Sequence, residues 1–261
     1  MEGPNSPLDR GRLRRRIAAG EATFGTFVGA ASAVTAEVCA AAGVDWILLD
    51  LEHGAGGEEQ VRNVVPAAAC YGVPTVVRVE SAARIRLGRV LDLGAAGVML
   101  PRMETPEEVG EAVRHLRYPP TGDRGVATST RACRFGLDDA VLTQADDAVL
   151  AVVQIESARA VGNADDIASI PGADVLFVGP RDLSHDLGVP GDVRAPVFRD
   201  ALDGVRAAAA RYGKACGLVV PDGAAAAERR AEGWTFVGIG SDAQILAAGV
   251  VATLRQARAG S

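Results

Sequence analysis

Ionisable side chains in this sequence gather where short apolar runs end. Residues 43–54, GVDWILLDLEHG, contain the apolar run Trp46–Leu49 and then present Asp50, Glu52 and His53. The runs VVRVE at 76–80, VVQIES at 152–157 and LFVGPRDLS at 176–184 end in the same way. Glu156 and Asp182 supply two carboxylates, an oxygen-only ligand set that suits Mg²⁺ or Mn²⁺ with several waters retained. Each also precedes a helical or turn segment, so capping a helix is the competing role. His53 lies three residues after Asp50, and an imidazole beside a carboxylate is a common general base; a lone histidine is also often just a satisfied polar residue. Arg78 is a charge in an apolar strand. Buried alone it would be very costly, so it must face a carboxylate or a bound anion, for which its planar fork is well shaped. Gln154 shares the face of Glu156 and can donate to a carbonyl.

Other residues narrow the chemistry. The only lysine, Lys214, stands just before a strand, at the wrong end for a Schiff base beside a substrate carbonyl. Of the three histidines, His115 falls mid-helix among arginines and is expected on the surface, while His185 follows Asp-Leu-Ser and can approach the site. The turn Gly238-Ile-Gly240-Ser-Asp has the look of a phosphate cradle at a helix N-terminus, or of a tight turn and nothing more. The basic cluster 10–16 reads as the solvated face of a first helix.

Positioning these residues requires a regular scaffold, and the chain supplies one. Strands are predicted over 23–29, 46–51, 75–79, 97–100, 150–155, 175–178, 215–220 and 236–239. Helices are predicted over 10–19, 33–42, 58–71, 82–93, 106–117, 157–170, 196–212, 224–232 and 243–259. Eight strand–helix pairs with short connections predict an α/β fold, a single-domain (β/α)8 TIM barrel over 23–261, with 1–22 as lead-in and short helix. Chemistry then belongs at the C-terminal face of the strands. The stretch 118–148 is too long for an ordinary connection and reads as an active-site loop or a subunit contact.

Composition agrees. The 261 residues are 48% apolar but only 4% aromatic, so Ala, Val, Leu and Ile must fill the core. A net charge of −6 argues against a nucleic-acid surface. Cys39, Cys70, Cys133 and Cys216 are widely spaced without a CxxC pair, the pattern of buried or half-buried free thiols. With no signal-peptide core and no run long enough to span a membrane, the expected location is the cytoplasm, with no membrane partner.

The motifs DWILLDLEHG, VVRVE, RVLDLGAAGVMLPRMET, RYPPTGDRGVA, VVQIES and VGPRDLSHDLGVPG, in this order from about residue 24 to the last helix, resemble the HpcH/HpaI family of metal-dependent pyruvate aldolases. The resemblance implies a (β/α)8 barrel assembled as a homohexamer, a trimer of dimers. It implies Glu156 and Asp182 as ligands of a divalent metal ion, Mg²⁺ or Mn²⁺ with Co²⁺ or Zn²⁺ as alternatives. His53 corresponds to the general base and Arg78 to the residue that stabilises the enolate. Asp50 corresponds to a partner of His53, and Asp92 to an aspartate that raises its basicity from a neighbouring subunit. Gln154, Gly179 and Arg181 match substrate-binding positions. The implied reaction cleaves or forms 4-hydroxy-2-oxo acids through a pyruvate enolate and an aldehyde. The alternatives are an oxaloacetate-using enolate enzyme of secondary metabolism (a decarboxylase or a citrate-synthase-like condensing enzyme) and a metabolite-binding barrel without turnover. Two residues depart from the family: Arg181 replaces a small residue, and Arg102 stands where many members have Met. Either they add positive charge that favours a second substrate carboxylate, or they turn away into salt bridges.

Overall fold

The computed structural model describes residues 9, 11–137 and 140–259. Eight parallel strands close into a barrel in chain order: β1 (Thr23–Val28), β2 (Trp46–Asp50), β3 (Thr75–Arg78), β4 (Gly97–Leu100), β5 (Leu150–Ile155), β6 (Val175–Val178), β7 (Ala215–Val220) and β8 (Phe236–Ser241), with β1 pairing β8. The strands are apolar on both faces because both are buried, as parallel sheets require. On β2, Ile47 and Leu49 point out to the helices, whereas Trp46 and Leu48 point in.

The barrel interior is a packed core. Trp46 stacks on Phe236 with centroids 4.0 Å apart, and Phe177 meets Phe236 edge-on at 6.1 Å. Gly25 must be glycine, since a Cβ there would lie 2.1 Å from the Trp46 ring. Continuing the same two-residue period brings Asp50 inward, and the register pairs it with Arg78, which pairs in turn with Met99. The apolar layers therefore support a polar layer at the C-terminal ends of the strands. The opposite end is closed by helix Arg12–Ala18, which inserts Leu13 and Ile17 below the aromatic layer. Contrary to the solvated face expected from sequence, Arg14 and Arg16 of that helix are engaged by carboxylates. They bond Asp174 at 3.0 Å and Asp45 at 2.8 Å.

Other departures from expectation have local causes. The helix predicted over 157–170 is two helices, Ala158–Gly162 and Ala164–Ser169, broken at Asn163, whose amide nitrogen reaches the Glu104 carbonyl at 2.7 Å. The residues after β6 form an additional helix, Pro180–Asp186. The stretch 118–148 contains a 3₁₀ segment, Arg131–Gly136, and a helix, Ala140–Ala148. It links a helix to a strand and so lies at the N-terminal end of the barrel, where the Asp146 carbonyl accepts from Arg14 at 3.0 Å. Within its own chain it is not an active-site loop. All four cysteines are free, and Cys70 is exposed rather than buried.

Candidate active site

The polar layer is built around Arg78. Its Nε and Nη2 donate to Asp50 at 2.9 and 2.6 Å, and its Nη1 lies 3.2 Å from Glu52. The guanidinium also sits 5.7 Å from the Phe27 ring centroid. The carboxylate expected opposite Arg78 is thus Asp50, with Glu52 as a second partner that sequence alone did not assign. Burial would push the Asp50 carboxyl up, but Arg78 and the amides of His53 and Glu52 more than reverse this and leave it below its ordinary value. Burial likewise works against the Arg78 charge, and its carboxylates outweigh that effect.

This arrangement corrects the role expected of Asp50. Its carboxylate accepts the backbone N–H groups of Glu52 and His53, at 3.1 and 3.2 Å, and its remaining bonds go to Arg78. The His53 ring is 66% exposed and its Nε2 lies 3.9 Å from Glu52. Nor does Asp92 reach His53 within the chain. It ends helix Arg84–Asp92 at the far end of the barrel and accepts from Arg124 at 2.6 Å. His115 is not a surface residue: its side chain is 13% exposed and its Nδ1 lies 2.7 Å from Asp123.

Glu156 and Asp182 line a cavity of about 200 Å³ with Arg102, Glu104, His185 and Asp186. Neither carboxylate is a helix cap. Ser157 caps the helix after β5 by accepting from Ala160 at 3.1 Å, and helix Pro180–Asp186 starts without a side-chain cap. Glu156 is buried, accepting from the Arg102 backbone N–H at 2.8 Å and from Gln154 Nε2 at 3.0 Å. Burial raises its carboxyl above the ordinary value. The Arg102 amide opposes that rise, and Asp182 and Glu52 add to it. Gly179 leaves room for this carboxylate, since a Cβ there would stand 2.7 Å from Glu156 Oε2.

The donor set fits a divalent cation. Two carboxylates bear on one another, and Gln154 Oε1 is buried beside them without a hydrogen-bond partner among the described residues. No group of three or more Asp, Glu, His or Cys side chains among the described residues forms a complete cage. An ion here would keep oxygens from water or substrate, the habit of Mg²⁺ sites.

Three further expectations resolve. His185 does line the cavity. The turn at Gly238–Asp242 is no phosphate cradle, because Asp242 fills the anion's place, accepting from Gly29 N at 2.9 Å and Thr35 Oγ1 at 2.9 Å. Arg102 and Arg181 are both exposed, and among the described residues neither has a salt-bridge partner, so the salt-bridge reading fails for both.

A family model described as HpcH/HpaI aldolase/citrate lyase matches residues 23–248. Among similar proteins, the 2-keto-3-deoxy-L-rhamnonate aldolase of Klebsiella pneumoniae is 35% identical, covering 92% of this chain and 89% of its own. The 4-hydroxy-2-oxovalerate aldolase of Rhodococcus jostii is 38% identical over 93% of each. The crystal structure of an HpcH/HpaI aldolase/citrate lyase family protein from Burkholderia cenocepacia superimposes with a TM-score of 0.91 at 36% identity, covering 95% of this chain and 99% of that one. The chain belongs to the HpcH/HpaI aldolase/citrate lyase family and is an aldolase of that family, a carbon–carbon lyase.

Proposed function

We propose that this chain is a divalent-metal-dependent pyruvate aldolase that cleaves and forms 4-hydroxy-2-oxo acids. The observation that carries the reading is the buried Gln154–Glu156–Gly179 cluster facing Asp182, with an acceptor left open on Gln154. Glu156 and Asp182 hold the metal, Mg²⁺ or Mn²⁺. A bound ion supplies Lewis-acid polarisation of the substrate carbonyl.

The remaining work falls to the chain's own side chains. His53, exposed at the mouth of the barrel, takes the proton from the C4 hydroxyl. The C3–C4 bond breaks, C4 leaves as an aldehyde, and the electron pair stays on the pyruvate fragment as an enolate. Arg78 stabilises the charge that develops on the enolate oxygen. Two of its five N–H groups are hydrogen-bonded to Asp50 and its Nη1 lies 3.2 Å from Glu52, and the grip of these carboxylates fixes the fork before substrate arrives. Gln154, Gly179 and Arg181 contact the oxo acid. A proton delivered to C3 completes pyruvate, and the reverse sequence is aldol addition.

Assembly as a homohexamer, a trimer of dimers, belongs to the same proposal. In helix Asp242–Ala259 every residue after Asp242 is exposed, including Ile245, Leu246, Val250, Val251 and Leu254. The barrel wall carries a groove of about 530 Å³ lined by Phe24, Ile239, Ala226, Ala227 and Arg230, the place that an eighth helix would cover. An uncovered apolar helix and an uncovered groove in one chain are the two halves of a contact between copies. Asp92 then acts across a subunit boundary on the base of a neighbouring copy.

The test is pyruvate release from a panel of 4-hydroxy-2-oxo acids, with and without chelator, by wild type and Glu156→Ala. Cleavage that needs the metal and disappears in the variant supports the proposal. No cleavage of any panel member by metal-loaded wild type ends it. Sedimentation of wild type against Val250→Glu tests the assembly, with smaller species expected for the variant.

A further inference from the structure

At Arg102 the duty of the backbone separates from that of the side chain. The residue follows buried Pro101 at the end of β4 with φ at +50°, a left-handed conformation that glycine adopts without the steric cost an L side chain carries. Its N–H donates to Glu156 Oε1 at 2.8 Å. A glycine would offer the same amide with less strain, so holding Glu156 does not account for an arginine.

Arg102 lines the cavity with Glu156, Asp182 and His185, its side chain is exposed at the rim, and no carboxylate among the described residues lies within ion-pair distance of it. Most of the acids around it are engaged elsewhere. Glu104, two residues along, holds Arg159 at 3.2 Å, and Asp186 accepts the Ala158 amide at 2.6 Å. Glu156 takes the Arg102 amide and Gln154. Arg78, the other arginine of the site, is buried and already gripped by Asp50 and Glu52.

We propose that Arg102 is a specificity residue that binds a second carboxylate, at the far end of the substrate's aldehyde portion, so that the preferred 4-hydroxy-2-oxo acids are dicarboxylates. This inference rests on the aldolase reading above. A guanidinium pairs with a carboxylate through two parallel N–H bonds, and its long stem lets it follow a flexible tail. A carboxylate fits better than a phosphate, because Glu104 and Asp186 share the cavity and oppose a dianion.

The experiment compares substrates of equal length with and without the terminal carboxylate. The pairs are 4-hydroxy-2-oxopentanedioate with 4-hydroxy-2-oxopentanoate, and the corresponding seven-carbon dioate with its monoacid. Pyruvate release gives kcat and KM for wild type, Arg102→Gly and Arg102→Lys. Wild type should favour the diacid in at least one pair. Arg102→Gly should cut that preference by roughly tenfold or more, mainly through KM, the scale of one charge-assisted contact, and Arg102→Lys should keep part of it. An arginine that acted only through Glu156 would lower both members of a pair equally, and that result overturns the proposal, as does a wild type without diacid preference. If the glycine variant fails to fold, Arg102→Gln removes the charge and keeps the stem. Metal-loaded wild type that cleaves neither member of any pair defeats the aldolase reading and this inference with it. Cleavage without preference defeats this inference alone.

Discussion

At the N-terminal end of the barrel, Asp174 takes the Arg14 guanidinium at 3.0 Å and the Ala151 amide at 2.9 Å. Asp45 does the same for Arg16 and Phe24, each at 2.8 Å. Both aspartates stand one residue before a strand, and each ties the neighbouring strand to the closing helix. At the C-terminal end, Glu156 is buried beside the field of Asp182, and among the described residues Gln154 Oε1 has no hydrogen-bond partner and Arg102 and Arg181 form no salt bridge. One end uses its charges on itself to hold the barrel shut. The other leaves charges uncommitted, which costs stability and is the state of a site that awaits ligands.

The comparison is sharpest at Glu156. Glu156→Gln should reduce turnover by about 10³-fold, the upper end of the cost of losing one preorganised electrostatic group. It should fold as well as wild type. The new side chain can still accept from the Arg102 amide, and Gln154 need only flip its own amide to present Oε1 to the new NH₂ group. Pyruvate release and thermal melting together check this, and a large loss of stability would place Glu156 with the structural charges instead.

Arg78 belongs to both categories, and its replacement should show both effects. Arg78→Ala should lower kcat about 10²–10³-fold and destabilise the fold by about 3–5 kcal/mol, because Asp50 is left buried without its partner. The pH dependence has a definite sign. Asp50 is held below its ordinary value in the wild type, so its contribution is present above about pH 4, the unfolded carboxylate range, and fades as the pH falls through the folded value. Without Arg78, burial raises the Asp50 carboxyl and the variant gains by protonating it. The stability gap, read from urea unfolding, should be widest at pH 7 and narrow below about pH 4.

Asp174→Ala should do the reverse of Glu156→Gln. Stability should fall by about 2–4 kcal/mol, somewhat less than for a fully buried pair, because the Arg14 side chain is 23% exposed. Turnover per folded molecule should not change, since the pair lies at the end of the barrel away from the cavity. Urea unfolding and kcat measured on the same preparation separate the two quantities.

Much of this scaffold is legible in the sequence because local rules and global fold agree. Short, largely apolar runs alternating with helical segments predict all eight strands, and the charge at the C-terminal ends of four of them marks the functional face. What sequence could not supply depends on contacts between distant segments. Glu52 joins Arg78 only because β2 and β3 are in register, and the backbone amide of Arg102 that holds Glu156 carries no side-chain signature at all. The break at Asn163 depends on the Glu104 carbonyl, 59 residues away. The placement of 118–148 was legible in principle: a segment that follows a helix and precedes a strand must lie at the N-terminal end of a barrel. Length alone leaves an active-site loop and a subunit contact both open.

The smallest expected effect probes the comparison most finely. Removing a paired charge from the N-terminal end should destabilise, whereas removing Arg102 from the C-terminal end should not. Arg102→Gly relieves about 1–2 kcal/mol of left-handed strain and adds about 0.5–1 kcal/mol of unfolded-state entropy, with no ion pair lost among the described residues. The melting temperature should hold or rise by about 1–2 °C. Arg102→Ala keeps the strained φ without the arginine and should gain nothing. A melting temperature several degrees lower for the glycine variant would mean that the guanidinium helps hold the barrel, and the two ends would then differ less than their geometry shows.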